Sequence, residues 1–381
     1  MENMARNRRR VLLLAEYDHV GGTRTYAKQL VAFYAQNNFD LTMLAKGPAD
    51  DVDMVVYCRS HGVQLVRHEE VASGGLGFGG RPWHLNRERR TLNAFIDELC
   101  PHVVVASVGM PGLFLGHMGR GRPSIYILHT YPQHSQVAWR RWLGKMIWGA
   151  LIPADIRFIT VSQFARDRML YAWGLWRRKC DISVIYSSAG KPVVEPKFSD
   201  GCIRVLTVGH VVDYKNPLFW IEAAARAIEQ LSTLRFVWVG PGPLLEQCRH
   251  MVASMGLQEK IVFTDASADV HKYYQSCDIY LQPSKIESLG LSVLDAMRYG
   301  KPAVVTNVGG LPELVRNGET GRVVDLADEQ ELTRYIVDLA MNRSEMDRMG
   351  RNAQATYASR FSPDQWNREM RLVHDSLLVE P

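Results

Sequence analysis

Short apolar runs rich in β-branched residues alternate along the chain with longer segments whose apolar residues recur at helical spacing. This alternation is typical of βαβ units, which build parallel sheets with helices on both faces. Seven strands are predicted in the first half, at residues 11–15, 41–45, 63–66, 103–107, 124–128, 158–161 and 181–185. Six are predicted in the second half, at residues 205–208, 235–239, 261–264, 279–282, 303–306 and 321–324. The sequence therefore predicts an α/β protein with parallel sheets.

Both periodicities are interrupted between the two sets of strands, where Gly, Pro and polar residues predominate. We therefore predict an N-terminal domain at residues 1–190, a linker at 191–200 and a C-terminal domain at 201–360. The length agrees with two domains, because 381 residues exceed the size at which one hydrophobic core usually stops growing.

The last segment, residues 361–381, is predicted to form an amphipathic helix over residues 363–378. Its apolar side chains available for burial are Trp366, Met370, Leu372 and Val373. We expect this helix to pack back on the N-terminal domain.

Composition narrows the class of protein. With 46% hydrophobic and 22% charged residues, the chain resembles a globular protein that folds without disulfides. A net charge of +5 is too small to indicate nucleic-acid binding by itself. The six cysteines form no Cys-x-x-Cys pair and no zinc spacing, which favours a reducing cytoplasm. No apolar stretch approaches the roughly 18 residues of a membrane span.

Candidate binding residues follow three of the predicted strands, where ligands of open parallel sheets bind. Gly21 and Gly22 precede a helix, so their N–H groups can approach a phosphate; a plain tight turn is an equal alternative. Lys215 also precedes a helix start, where the helix dipole favours anions. A bound anion would explain this lysine, and a solvated side chain is the alternative.

The third place, after residues 279–282, carries the most chemistry. Gly290 can begin a helix whose free amides point at a diphosphate, while Glu287 lies outside that helix and can meet hydroxyl groups. Asp295 follows about 7.5 Å along the helix axis, roughly the step from a phosphate to its ribose. A carboxylate there can accept hydrogen bonds from two hydroxyls. The alternative is a helix N-terminus with two solvated acids.

Residues 283–302 resemble the donor-site signature of retaining GT-B glycosyltransferases of the family-four type, in which two glutamates stand eight positions apart. Glu287 matches the first glutamate, and Asp295 replaces the second. The resemblance extends in the right order over nearly the whole chain, through Gly21-Gly22, 161–165, Gly209, Lys215-Asn216, 274–278 and 309–315. It implies two Rossmann-like domains that face each other across a cleft. The N-terminal domain would bind the acceptor and the C-terminal domain the nucleotide sugar.

The resemblance also implies roles for individual residues. Lys215 would bind the donor diphosphate, Glu287 the hydroxyls of the transferred sugar, and Asp295 the ribose. His129 stands where the family often has a histidine beside the reacting sugar, so His129, Lys215 and Glu287 are the predicted catalytic residues. The predicted donor-binding residues are Gly21, Gly22, His210, Lys215, Phe263, Glu287, Ser288, Leu289, Gly290, Leu291 and Asp295. A UDP- or GDP-linked sugar is the expected donor, with no cofactor and no metal.

Three departures from the family pattern keep other functions open. His210 stands where the family usually has arginine, Asp295 is one methylene shorter than glutamate, and residues 184–190 lack the usual Asn-Gly. A non-catalytic nucleotide-binding scaffold subunit is therefore one alternative. A nucleotide-sugar epimerase of related fold is the other.

The acceptor is indicated only by a segment that begins at Trp139 and ends at Trp148, in which cations alternate with indoles. Such mixtures occur where proteins meet an anionic membrane surface, and a core-packed helix with snorkelling cations is the alternative. The segment favours a glycan or lipid-linked acceptor, in polysaccharide or envelope glycan synthesis. We expect a cytoplasmic protein, with a peripheral position on the inner face of the membrane as a further option.

Overall fold

The computed structural model describes residues 8–17, 21–46, 51–67, 82–108, 122–131, 156–173, 181–190, 201–265, 267, 269–326 and 328–378. The strands among them are β1 Arg10–Glu16, β2 Asp40–Lys46, β3 Gln64–Arg67, β4 Val103–Val108, β5 Ser124–Leu128, β6 Ile156–Thr160, β7 Ile182–Val184, β8 Ile203–Val208, β9 Leu234–Val239, β10 Ile261–Thr264, β11 Ile279–Gln282, β12 Ala303–Thr306 and β13 Gly321–Val324. The helices are α1 Gly22–Gln36, α2 Val52–Ser60, α3 Pro82–Leu99, α4 Gln163–Trp173, α5 Pro217–Gln230, α6 Leu245–Ser254, α7 Val270–Ser276, α8 Leu291–Arg298, α9 Leu311–Leu314, α10 Glu329–Met341, α11 Arg343–Arg360 and α12 Pro363–Leu378.

Two compact units divide the chain. The first contains residues 1–185 and 367–381, and the second contains residues 186–366. Every predicted strand overlaps an observed strand, and each unit has one parallel sheet, which confirms the predicted α/β class.

The first unit is built on a parallel sheet with strand order β3-β2-β1-β4-β5-β6-β7. Its central strands are almost continuous apolar runs, as expected of strands covered on both faces. In β1, residues 11–15 are all buried, and β5 is buried along its whole length. The strand order reverses between β1 and β4, which makes the carboxyl ends of these strands the topological switch point of the unit.

The second unit repeats this plan with the order β10-β9-β8-β11-β12-β13. Its core contains a group of aromatic side chains, in which Trp220 of α5 contacts the rings of Phe236 and Trp238 edge-on at centroid distances of 5.6 Å and 5.3 Å. The indole N–H of Trp220 donates to Thr207 Oγ1, so its one polar atom is satisfied inside the core. The switch point of this sheet lies between β8 and β11.

Helix α12 has the predicted bounds but not quite the predicted buried face. Trp366, Met370 and Val373 are buried as expected, whereas Leu372 is 69% exposed, so its predicted burial is wrong. Residues 366, 370 and 373 follow the i, i+4, i+7 spacing of one helix face, and position 372 points away from it. Within the first unit, His374 of α12 hydrogen-bonds the hydroxyl of Tyr34 in α1 at 2.8 Å.

In the part of the chain that the structure describes, no helix is long and apolar enough to cross a membrane. The segment from Trp139 to Trp148 lies outside the described residues.

Candidate functional site

Two loops at the switch point of the second sheet bring together the residues with the strongest chemistry. Residues 209–215 follow β8, and residues 283–290 follow β11. β8 and β11 are hydrogen-bonded neighbours, although they lie far apart in sequence. The carboxyl ends of adjacent parallel strands meet at one edge of the sheet, so Lys215 and Glu287 can reach each other there.

Lys215 is presented by a tight local structure after β8. Residues Asp213–Lys215 form a 3-10 turn, Asn216 adopts a left-handed conformation with φ of 62°, and Pro217 begins α5. Asparagine tolerates this conformation better than most residues, and proline suits the first turn of a helix. The sequence from Asp213 to Pro217 therefore fixes the backbone that carries the lysine.

The ammonium group of Lys215 donates a hydrogen bond to Glu287 Oε2. Each side chain of this ion pair is only 16% exposed. Lys215 is thus not a freely solvated lysine, which removes the plainer of the two interpretations of the sequence. Its anionic partner in this structure is a carboxylate of the same unit.

The backbone of Glu287 packs closely against Gly309. A Cβ on Gly309 would overlap the carbonyl oxygen of Glu287, and Gly309 has a φ of 58°. A side chain at position 309 would push the loop that carries Glu287 away from the sheet. The close approach explains why position 309 is a glycine.

Gly290 begins α8 as the sequence predicts. It adopts a left-handed conformation with φ of 107°, and no side chain caps the helix N-terminus. Leu289 has a buried side chain and Ser288 a partly buried one. Contacts of Leu289 with a ligand would therefore involve its backbone rather than its side chain, as expected for amides at a helix start.

Asp295 lies on α8 next to the buried guanidinium of Arg298, with 2.7 Å between Asp295 Oδ1 and Arg298 Nη2. Removal from bulk solvent raises the pKa of Asp295 to about 6, while Arg298 acts in the opposite direction. Arg298 also contacts His271 Nδ1 at 3.1 Å. Asp295 is therefore a carboxylate with a basic neighbour and an unusually high pKa.

The remaining predicted residues of this unit lie in different surroundings. His210 follows Gly209 directly at the end of β8 and is partly exposed. Phe263 is buried, and its ring packs against Trp220 and Trp238 at centroid distances of 5.3 Å and 5.8 Å. The ring of Phe263 thus belongs to the core, and a donor contact by this residue stays a prediction.

The first unit holds the other predicted residues. Gly21, with φ of 124°, precedes α1, and Gly22 is the first residue of that helix. His129 follows β5, and its Nε2 lies 2.7 Å from the hydroxyl of Ser107 in β4. Its ring packs edge-on against Tyr26 at a centroid distance of 4.4 Å. Burial lowers the pKa of His129 to about 4, so the imidazole is neutral near neutral pH.

Two sequence models of known families match the chain. The model described as "Glycosyl transferase 4-like domain" matches residues 21–183, and "Glycosyl transferases group 1" matches residues 194–356. Between them the two matches cover the second sheet, the first sheet from β2 onwards and the loops described above, whereas β1 precedes the first match. The chain belongs to the group 1 glycosyltransferases. The family-four-type resemblance and the GT-B architecture expected from the sequence are thereby confirmed.

Known proteins agree with this assignment. The Vi polysaccharide biosynthesis protein VipC/TviE of Salmonella typhi is 29% identical over 267 residues, which are 66% of this chain and 44% of that protein. A glycosyltransferase from Rickettsia africae has a similar structure, with a TM-score of 0.80, 15% identity and coverage of 98% and 100% of the two chains. Anabaena Alr3699/HepE, solved with UDP and glucose, gives a TM-score of 0.73 at 19% identity over 97% of this chain and all of its own. At these identities the two structures establish the fold alone.

The matched region of this group 1 glycosyltransferase spans about half or less of most of the curated relatives, from 30% to 56% of their lengths.

Sequence reasoning missed two polar residues that support the predicted ones in this glycosyltransferase. Gln282 at the end of β11 hydrogen-bonds Glu287, and Ser107 in β4 hydrogen-bonds His129. Both are buried within otherwise apolar strands. Because buried polar groups need hydrogen-bond partners, a polar residue at the carboxyl end of an apolar strand is the signal that could have found them.

Proposed function

We propose that this chain transfers a sugar from a nucleotide-diphosphate donor to a hydroxyl of a glycan or lipid-linked acceptor, with retention of the anomeric configuration. The observation that carries the proposal is the ion pair between Lys215 and Glu287 at the switch point of the second sheet, beside the start of α8. At this edge of the sheet lie a cation that can bind phosphate, a carboxylate that can bind hydroxyls, and the backbone amides at the start of α8.

The chemistry of glycosyl transfer fits these groups. As the anomeric C–O bond breaks, negative charge grows on the leaving diphosphate, and preorganised cations and amides stabilise that charge. Lys215 and the amides of residues 288–291 would serve the diphosphate, with His210 as a further partner. These groups would take the role that a divalent metal has in other enzymes. Among the described residues, no group of three or more His, Cys, Asp or Glu side chains is placed to hold a metal.

Donor binding would change the partners of the ion pair. Lys215 would turn from the carboxylate to the diphosphate, and Glu287 would accept hydrogen bonds from hydroxyls of the transferred sugar. Asp295 would bind the ribose hydroxyls in its ionised form. His129, Gly21 and Gly22 of the first unit remain proposed contacts of the sugar and the diphosphate.

A thermal-shift screen of UDP-, GDP- and ADP-sugars tests donor binding, because a ligand that binds the native state raises its stability by mass action. Glu287→Gln and Lys215→Ala proteins serve as binding-site controls, and the best donor is then assayed for turnover. Consumption of the donor without an acceptor would identify an epimerase. Binding without turnover across a panel of glycan and lipid-linked acceptors would identify a scaffold subunit, and no shift with any nucleotide would contradict the proposal.

The names of related proteins support the acceptor class. VipC/TviE is a polysaccharide biosynthesis protein, and a structural neighbour with a TM-score of 0.70 is the lipopolysaccharide outer core galactosyltransferase WaaB. These names favour an acceptor from polysaccharide or envelope glycan synthesis.

A lipid-linked acceptor would require the protein to reach a membrane surface, for which the segment from Trp139 to Trp148 is the candidate. Each basic residue near an anionic surface contributes about 1 kcal/mol, and salt weakens the attraction. The protein should sediment with anionic but not zwitterionic vesicles, and Arg140→Gln with Arg141→Gln and Lys145→Gln should abolish this binding. An equal soluble fraction in all conditions would favour a water-soluble acceptor.

A further inference from the structure

Gln282 is a buried polar residue at the carboxyl end of β11, with only 1% of its surface exposed. Its amide nitrogen donates to Glu287 Oε2 at 2.9 Å and to Ser284 Oγ at 3.1 Å. Its amide oxygen accepts from the hydroxyls of Tyr280 and Ser292, each at 2.9 Å. A glutamine amide has two N–H donors and two acceptor lone pairs, so the full hydrogen-bonding capacity of Gln282 is used.

The carboxylate of Glu287 determines which way the Gln282 amide faces. An ionised carboxylate only accepts hydrogen bonds, so the nitrogen of the amide must point towards it. The Tyr280 and Ser292 hydroxyls can donate, and they complete the oxygen side. Reversing the amide would place its oxygen against a carboxylate oxygen and leave buried polar groups unpaired.

The partners of Gln282 connect Glu287 with both sides of the switch point. Ser292 lies in the first turn of α8, the helix that Gly290 begins. The hydroxyl of Tyr280 also accepts a hydrogen bond from the backbone N–H of Val208, the last residue of β8. Gln282 therefore links the acidic loop to the helix start and to the strand that precedes Lys215.

The two bonds to Glu287 leave its other oxygen open. Both Lys215 and Gln282 contact Oε2, and Oε1 has no hydrogen bond to the described residues. If donor binding draws Lys215 away, Gln282 would remain as the group that holds Oε2. The carboxylate would then keep one orientation throughout the exchange of its charged partner.

We propose that Gln282 is the positioning residue of Glu287: it fixes one carboxylate oxygen so that the other meets a hydroxyl of the transferred sugar. This inference rests on the proposed function of Glu287. Gln282 does not contact the donor itself, and its effect passes through the orientation of the carboxylate.

The first test compares the affinities of a nucleotide and its sugar derivative by calorimetry, using UDP with UDP-glucose, or GDP with GDP-mannose if the thermal screen selects guanine. Gln282→Met keeps the length of the side chain but removes the amide. The affinity of this variant for the nucleotide should stay within about threefold of the wild-type affinity. Its affinity for the nucleotide sugar should be about tenfold weaker, as expected for one lost hydrogen bond in a buried site. The matched control is Tyr280→Phe, which removes a bond to the amide oxygen but none to Glu287, and it should stay within about threefold of the wild type for both ligands.

The second test uses Gln282→Glu, which places an acid beside Glu287. A protonated acid at position 282 can donate to Glu287 as the amide does, and an ionised one repels it. The titratable groups around this position are Glu287, Lys215, Tyr280 and, on α8, Asp295. The ratio of variant to wild-type affinity at each pH removes the contribution of groups that titrate alike in both proteins, and what remains belongs to the coupled pair of acids at positions 282 and 287. This ratio should rise about tenfold between pH 8 and pH 5.5, whereas the ratio for Gln282→Met should stay flat.

Glu287→Gln distinguishes a failure of this inference from a failure of the proposed function. If Glu287→Gln loses the sugar-dependent affinity and Gln282→Met keeps it, Gln282 is not a positioning residue and the proposed role of Glu287 stands. If Glu287→Gln binds both ligands as the wild type does, Glu287 does not contact the sugar, and both proposals fall. A flat pH ratio for a folded Gln282→Glu protein would also overturn the inference, and thermal melting checks that each variant is folded.

Discussion

The two parallel sheets share a strand plan, but the predicted site residues that follow their strands have different kinds of neighbours. The second unit gathers a lysine, a carboxylate and a fully bonded glutamine around β8 and β11. The first unit presents a neutral histidine, His129, supported by Ser107 and the ring of Tyr26. Lys215 and Glu287 are thus held by an ion pair and hydrogen bonds, whereas His129 is held by a hydroxyl group and an aromatic ring.

This difference has a physical origin in the partners of each group. Lys215 and Glu287 are only 16% exposed, and each is the other's ion-pair partner, while Gln282 adds a hydrogen bond to the same carboxylate oxygen. His129 has a hydroxyl and an aromatic ring as its neighbours, so burial favours its neutral form and lowers its pKa to about 4. We infer that the second unit carries the electrostatic part of the reaction and that the first contributes uncharged contacts.

The largest effect on turnover should come from removing the positive charge of Lys215. Lys215→Ala should lower kcat about 10²–10³-fold at saturating donor, if Lys215 stabilises the leaving diphosphate as one preorganised oxyanion donor does. Lys285→Ala is the matched control, because Lys285 belongs to the same pair of loops but forms an exposed ion pair with Asp213. It should change kcat less than about threefold. Steady-state kinetics on both proteins would refute the assignment if the two variants behave alike.

A smaller effect on turnover is expected when the imidazole of His129 is removed. His129→Ala should lower kcat about 10–10²-fold, the range for losing one hydrogen bond in a buried site. Nuclear magnetic resonance of the imidazole nitrogens should show His129 neutral from pH 5.5 to 8, and Ser107→Ala should change its tautomer populations. A His129 that titrates near pH 6.5 would contradict the comparison, because its surroundings would then not keep the imidazole neutral.

Local sequence patterns predicted most of the fold. All thirteen strand positions overlap observed strands, and α1, α5, α8 and α12 begin where Gly22, Pro217, Gly290 and Pro363 indicated. These features depend on hydrophobic periodicity and on residues with special backbone preferences, which neighbouring residues encode. Leu372 was wrongly expected inside, since an apolar residue next to a buried face was counted as part of that face.

The partners of the site residues could not be predicted in the same way. Lys215 and Glu287 lie 72 positions apart, and only the strand order that places β8 beside β11 brings them together. The sequence predicted an anion for Lys215 and hydroxyls for Glu287 separately, but not that each would be the other's partner. The sequence shows Gln282 only as the last residue of an apolar strand. Its four hydrogen bonds depend on the same tertiary contacts, so local patterns do not predict them.

The raised pKa of Asp295 predicts that donor binding depends on pH. A pKa of about 6 means that the carboxyl group is protonated below this pH, where an ordinary aspartate would still be ionised. A protonated acid accepts fewer hydrogen bonds from ribose hydroxyls. We therefore expect kcat/KM for the donor to fall by about tenfold in total as the pH drops below 6 and then to level off. The Asp295→Asn variant should have a kcat/KM about tenfold below that of the wild type at pH 8, and its kcat/KM should not fall further at lower pH. A wild-type profile that stays flat to pH 5 would contradict the role of Asp295.

The smallest expected effect tests whether the protein's own groups supply all the positive charge that the reaction needs. If Lys215 and the start of α8 stabilise the diphosphate, a divalent metal is unnecessary, and EDTA should leave turnover within about twofold of the untreated rate. The informative control is Lys215→Ala, whose residual activity should also be insensitive to EDTA if no metal shares the site with the lysine. Loss of wild-type activity in chelator that Mg²⁺ or Mn²⁺ restores would assign the charge to a metal instead. The contrast between Lys215 and the neutral His129 would then describe the protein's own residues but not all the charges at the reaction site.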